Sequence, residues 1–152
     1  MHDYILFIST EKTDLKINTS FMCPDDIGMH GVADYIGNEI LIPMSVAGVN
    51  VREDGSVVLV RSNIENYFKK RFDDMKEKCS ALTFEQFCST DLYDIRKAIE
   101  VSFGIYVVPI TDPLDENYYA ETLDSFLRGI YTSFDKCEQQ ILYIISAVDY
   151  HW

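Results

Sequence analysis

The stretch from Cys23 to Gly31, CPDDIGMHG, brings together several side chains that can do chemistry. It contains a thiol at Cys23, two carboxylates at Asp25 and Asp26, and an imidazole at His30. A thiol beside an imidazole can act as a nucleophile, and all four side chains are of types that ligate metals. Adjacent carboxylates rarely converge on one tetrahedral ion, however, and no catalytic spacing is present. The sequence therefore predicts a surface loop, with a small enzyme or ligand-binding domain that uses these four residues as the alternative.

Motifs for cofactors and catalysis are missing from the rest of the chain. The sequence has no GxxxxGK[ST], GxGxxG, HExxH or GxSxG motif. Its four cysteines, at positions 23, 79, 88 and 137, form no CxxC pair, which is typical of free thiols in a reducing compartment. The apolar run near the N-terminus, 4–8, is too short for a membrane span. We therefore predict a cytoplasmic, non-catalytic protein without a metal or cofactor.

The charge of the chain is strongly acidic and unevenly distributed. It has 25 acidic and 13 basic residues, for a net charge of −12. Residues 83–152 contain twelve of the acids and only four of the bases. Such a balance disfavours nucleic-acid phosphate and anionic membranes as ligands, and it favours a basic protein as partner.

The segment from 112 to 125 contains five acidic residues and no lysine or arginine. Asp112 and Pro113 are suited to the start of a helix, and an apolar stripe follows at helical spacing: Tyr119, Leu123, Phe126, Leu127 and Ile130. The opposite side of this helix would then be acidic and rich in tyrosine, which suits a protein interface. The predicted partner-binding residues are Asp115, Glu116, Tyr118, Glu121, Asp124 and Tyr131. A merely solvated helix face is the alternative.

Short runs of β-forming residues dominate the N-terminal part of the chain. Strands are predicted at Tyr4–Ser9, weakly at 15–21, and within 38–62, where Asp54 and Gly55 supply a tight turn. A later strand is predicted over Ile105–Ile110, which can join the same sheet.

Helices are predicted in the remainder. One begins at Ser62, where Ser62 and Glu65 form a capping-box pattern, and its buried stripe is Ile64, Phe68, Phe72, Met75 and Cys79. Others are a short helix capped by Thr83 and Gln86 that runs through Cys88, one that begins at Asp91, the acidic helix, and a last one over 134–148. The predicted fold class is α+β: a single domain over 1–152, with a mostly antiparallel sheet covered by a C-terminal layer of helices.

In size, acidity and order of elements, the chain resembles bacterial immunity proteins, which neutralise the toxins of contact-dependent inhibition and other polymorphic toxin systems. The resemblance implies that the chain binds and occludes a cognate toxin domain, often a basic nuclease, with carboxylates in place of the phosphates that the toxin contacts. A phage-type inhibitor or nucleic-acid mimic would share these electrostatics and is a further alternative.

Overall fold

The computed structural model describes residues 2–14, 17, 23–29, 35–40, 45–46, 49–89, 104–111, 118–133 and 139–151. Their strands are β1 (His2–Ser9), β2 (Tyr35–Ile40), β3 (Ser45–Val46), β4 (Val49–Asn50), β5 (Ser56–Val60), β6 (Ile105–Ile110), β7 (Glu121–Thr122) and β8 (Gln139–His151). The helices are α1 (Arg61–Ala81), α2 (Phe84–Ser89) and α3 (Leu123–Ser133), with a 3-10 turn at Pro24–Ile27. The fold class is therefore α+β, as predicted.

Among the described residues, the main sheet has six strands and is mixed. Its order is β2-β8-β1-β6-β7. β2 and β5 lie on the same edge of β8, where β2 pairs with residues 147–151 and β5 pairs with residues 139–143. β1 is antiparallel to β8 but parallel to β6, with Tyr4 opposite Ile105 and Ser9 opposite Ile110. The prediction of a mostly antiparallel sheet was wrong in this respect, because the late strand β6 returns beside β1 after the helices and runs in the same direction.

A helix was predicted over 134–148, but residues 139–148 belong to the long strand β8, and 134–138 lie outside the described residues. β8 lies between β1 on one side and β2 and β5 on the other. Both of its faces are covered, and its buried residues include Leu142, Ile144, Val148 and Tyr150. A strand that is buried on both faces has a continuous apolar run, which periodicity does not distinguish from a buried helix.

The two faces of the sheet carry separate apolar clusters. Leu6 and Ile8 of β1 belong to one cluster, whereas Ile5 and Phe7 belong to the other, as strand alternation requires. The first face is covered by α3 and the beginning of α1. The second face is covered by Ile17, Ile27 and Met29, together with Tyr118 and Ala120. The covering helices thus come from the middle of the chain as well as from its end, so the predicted C-terminal layer was also wrong.

Helix α1 was predicted correctly, but its cap and its buried side were not. It begins at Arg61, and its N-cap residue, Val60, makes no side-chain capping bond, so the pattern at Ser62 is not the helix start. Ile64 is 2% exposed, whereas Phe72 is 56% exposed. Among the described residues, Ile64 and Phe68 at the beginning of the stripe pack in the core, whereas Cys79 at its end is exposed.

Alanine substitutions in α1 should distinguish these two positions. Ile64→Ala should lower the free energy of unfolding by about 2 to 4 kcal/mol, because it leaves a cavity in the core. Phe72→Ala should change it by less than about 1 kcal/mol, since the ring is mostly solvated and alanine favours helix. Urea denaturation measures both values. An equal loss at both positions would contradict the burial that we describe.

Several local predictions are confirmed. The Thr83 hydroxyl accepts a hydrogen bond from the backbone N–H of Gln86 at 3.2 Å, and Oε1 of Gln86 accepts one from the backbone N–H of Thr83 at 2.9 Å. The turn at Asp54 and Gly55 is present, with Gly55 at φ +76°, which favours glycine. The strand predicted over 15–21 and the helix predicted from Asp91 lie outside the described residues, apart from Ile17. The predicted acidic helix begins only at Leu123, while 112–117 also lie outside them.

Candidate interaction surface

Two stretches that the sequence marks as unusual meet in the structure: the loop 23–29 and the segment that follows 112–117. The backbone N–H of Ala120 donates a hydrogen bond to the carbonyl oxygen of Ile27 at 2.7 Å. Beside this bond, a Cβ atom added to Gly28 would lie only 2.7 Å from the Tyr119 ring. The glycine therefore lets the tyrosine ring lie directly against the loop, and its φ of +69° also favours glycine.

The joint surface of these two stretches is acidic and carries an exposed aromatic ring. Asp25 and Asp26 are exposed in the 3-10 turn, and Glu121, which follows the Ile27–Ala120 contact, is half-buried. Tyr119 is 74% exposed. We name these four residues, Asp25, Asp26, Tyr119 and Glu121, the Asp25–Tyr119 surface. Ile27 and Met29 are buried in the core beneath the loop, which fixes its position.

Hydrogen bonds within the loop oppose a nucleophilic role for Cys23. The Asp26 carboxylate accepts bonds from the backbone N–H of Cys23 at 2.7 Å and from its Sγ at 3.0 Å. The side-chain bond to Asp26 raises the pKa of the Cys23 thiol, and the backbone N–H of Cys23 lowers the pKa of Asp26. A raised thiol pKa disfavours the thiolate, which is the reactive form. His30, the base in the enzymatic alternative, lies outside the described residues.

The described members of the predicted partner-binding set do not form one solvent-facing helical side. Asp115 and Glu116 lie outside the described residues. Tyr118 is half-buried and contacts Phe7 edge-to-face, with ring centroids 6.1 Å apart. Glu121 precedes α3, in the two-residue strand β7.

The expectation that Asp124 faces solvent was wrong, because this residue is 2% exposed. The hydroxyl of Tyr67 donates to its Oδ1 atom at 2.7 Å, and the Arg71 Nε atom lies 3.6 Å from its Oδ2 atom, which accepts no hydrogen bond. Burial, together with the bond to Asp124, raises the pKa of Tyr67 to about 12, so its hydroxyl remains a donor at neutral pH. Asp124 thus connects α3 to α1.

Tyr131 also contacts α1. Its hydroxyl donates to Glu65 Oε1 at 3.1 Å, and the guanidinium of Arg61 lies 5.1 Å from the centre of its ring. A third pair, Arg128 over the Phe68 ring at 5.6 Å, links the same two helices. Side chains that the sequence assigned to a partner therefore stabilise the contact between α1 and α3.

Helical spacing predicted that Tyr119 lies on the buried side of a helix, so the exposure of its ring was not expected. The segment 118–120 has no helical conformation, and Tyr118 and Tyr119 point to different sides, as neighbours do in extended chain. The exposed rings of Phe84 and Phe87 in α2 were not anticipated either.

Among the described ranges, no cluster of three or more potential metal ligands occurs, and no helix has the length and apolar character to cross a membrane. No family model matches the chain, and comparison with curated proteins and with solved structures finds no match.

Proposed function

We propose that this chain is a non-catalytic acidic protein that binds a basic protein partner, a cognate toxin domain, and neutralises it in the cytoplasm. The observation that carries the proposal is the Asp25–Tyr119 surface, where a backbone hydrogen bond joins two distant acidic stretches and the ring of Tyr119 is exposed. The proposed binding surface is this one rather than the side of α3, because Asp124 and Tyr131 contact α1.

The distribution of charge supports a basic partner. Residues 61–89, which include α1 and α2, contain six bases and five acids. The rest of the chain contains seven bases and twenty acids, a net charge of −13. A field of this sign attracts a basic protein over long range and speeds its association. A nuclease domain fits, since its basic surface normally contacts phosphates that carboxylates can replace.

Tyr119 supplies the short-range contact that charge alone does not provide. Tyrosine combines a large apolar ring with a polar tip, and it is enriched among the residues that dominate binding energy in protein interfaces. Its ring can also accept a lysine or arginine cation of the partner. Because one side of the ring already lies against Gly28, part of its conformational freedom is restricted before binding.

Variants of this surface should separate its electrostatic and contact contributions. The partner would first be identified by co-purification from the native host, and binding would then be measured by stopped flow over a salt series. Asp25→Asn combined with Glu121→Gln should slow association by about three- to tenfold at low salt and weaken its salt dependence. Tyr119→Ala should raise the dissociation rate by about tenfold or more.

The matched control removes the same charge elsewhere. Asp73→Asn combined with Asp74→Asn changes two exposed carboxylates of α1 and should alter association by less than about twofold. If both double variants slow association equally, the overall field acts and the Asp25–Tyr119 surface has no special role. If the purified partner is not basic and salt leaves association unchanged, the proposed function is wrong.

A further inference from the structure

We propose that residues 69–89, the outer part of α1 together with α2, bind an amphipathic helix of another protein that has acidic residues beside its apolar face. This goes beyond the proposed function and does not depend on it. Six large hydrophobic side chains are exposed in the described part of the chain, and three of them are phenylalanines of these two helices. We name these rings, with three exposed lysines of α1, the Phe72–Phe87 surface: Phe72, Phe84, Phe87, Lys69, Lys76 and Lys78.

The apolar side of this surface continues a stripe that begins in the core. Ile64 is buried, and Phe68 packs against the same cluster. From there the stripe continues at intervals of four, three and four residues, which keeps one side of the helix apolar: Phe68, Phe72, Met75 and Cys79. Yet no residue of α1 after Ile64 is buried, and none of α2 is. The stretch thus has the pattern of a buried helix, but within the described part of the chain nothing buries it.

Positive charges border the stripe on both sides. At 3.6 residues per turn, Lys69 and Lys76 lie along one border, and Arg71 and Lys78 lie along the other. The acidic residues of this part of α1 lie on the side of the helix away from the stripe: Asp73, Asp74 and Glu77. Arg71 is already paired with Asp124, so the three exposed lysines provide the charge that a partner meets.

These borders exclude a second copy of α1 as the occupant. When two helices pack along such stripes, the bordering residues of one helix lie opposite those of the other. In either relative direction, lysine would then face lysine or arginine, and like charges at this distance are destabilising. A helix with glutamate or aspartate at its borders forms ion pairs there instead. The charge of the surface therefore selects an acidic amphipathic helix.

An anionic membrane also offers apolar and acidic groups, but it fits the surface less well. Charges are screened over about 8 Å at physiological salt, so a helix that lies along the stripe meets mainly the charges that border it. A membrane is a plane and also faces neighbouring parts of the chain. The residues outside 61–89, with seven bases and twenty acids, have a net charge of −13 and repel it.

Two designed peptides test the surface in the intact protein. Each has about 18 residues, with leucine at heptad positions a and d, and with either glutamate or lysine at positions e and g. Fluorescence anisotropy at physiological salt should show saturable binding of the glutamate peptide, about tenfold or more tighter than that of the lysine peptide. Phe72→Ala should weaken this binding by about fivefold or more, because it removes an aromatic contact. Phe72→Leu, which keeps an apolar side chain, should stay within about twofold of the wild type.

Matched charge variants show where the peptide binds. Lys76→Gln combined with Lys78→Gln removes two bordering charges and should weaken binding of the glutamate peptide by about two- to fivefold. Lys12→Gln combined with Lys70→Gln removes the same charge from exposed positions away from the stripe, and it should change binding by less than about 1.5-fold.

Several results would overturn the proposal. The wild type must bind the glutamate peptide, must prefer it to the lysine peptide, and must lose more affinity with the bordering pair of substitutions than with the distant pair. A dimer that sedimentation detects and that Phe72→Ala dissociates would mean that a second copy covers the surface. Binding to vesicles of phosphatidylcholine and phosphatidylserine, without binding of the glutamate peptide, would mean that the surface contacts a membrane. Either outcome contradicts the proposal.

Discussion

Asp124→Ala is expected to lower the free energy of unfolding by about 3 kcal/mol, one of the two largest effects that we predict for this chain. The substitution leaves the Tyr67 hydroxyl without its acceptor and removes the carboxylate that faces Arg71. It also removes a negative charge from the first turn of α3, where the helix dipole favours one. Because Arg71 is partly exposed and can be hydrated, the loss should be smaller than for a fully buried pair. Urea denaturation, monitored by circular dichroism, measures this loss in the free energy of unfolding.

Two comparisons show whether this loss comes from the contact between the helices. Asp73→Ala removes the same charge from an exposed position of α1 and should change stability by less than about 0.5 kcal/mol. A double-mutant cycle with Tyr67→Phe should give a coupling energy of about 1 to 2 kcal/mol with Asp124→Ala. A stability unchanged by Asp124→Ala would mean that the cost of burying the carboxylate cancels its pairing.

Gly104→Ala is expected to be about as destabilising, at roughly 3 kcal/mol, with a fall of about 6 to 12 °C in melting temperature. Gly104 has a φ of +111°, which a residue with a side chain rarely adopts. A Cβ atom there would lie 2.5 Å from Oδ1 of Asp3, whose other carboxylate oxygen accepts a bond from Tyr150 at 3.3 Å. The Gly104 carbonyl also accepts a hydrogen bond from the backbone N–H of Tyr4 in β1, so the strain would reach the centre of the sheet.

Gly129→Ala is the matched control for this substitution. Gly129 lies within α3, and a Cβ atom added there would meet no atom within 4 Å. Alanine is favoured over glycine in a helix by up to about 1 kcal/mol, so this variant should be slightly more stable than the wild type. If calorimetry shows equal melting temperatures for the two variants, the backbone that we describe at Gly104 is wrong.

Features that depend on a few neighbouring residues could be predicted from the sequence. The capping pair Thr83 and Gln86, the turn at Gly55 and the strand Ile105–Ile110 all occur as expected. Each has a local cause: a side chain that satisfies a nearby backbone group, a positive φ, or a short β-branched run between breakers.

The candidate site was less predictable, because helical spacing gives the direction of a side chain only after the helix bounds are known. Residues 118–120 have no helical conformation and α3 begins at Leu123, so Tyr119 is exposed where an inward position was expected. The opposite error occurred at Asp124, which α1 covers through Tyr67 and Arg71. Neither residue of α1 is near Asp124 in sequence, so only packing could reveal this contact.

The sequence by itself determined the α+β class, the short-range turns and caps, and the acidic charge of the chain. The tertiary structure decided that β6 lies parallel to β1. It also decided that β8 is a central strand, which the sequence did not reveal because burial on both faces removes the period by which a strand is recognised. It also decided that Ile27 and Ala120, 93 residues apart, share a hydrogen bond and so bring the loop 23–29 against Tyr119. Local pattern carries no information on such pairings, since their free energy comes from surfaces that meet only when the whole sheet is assembled.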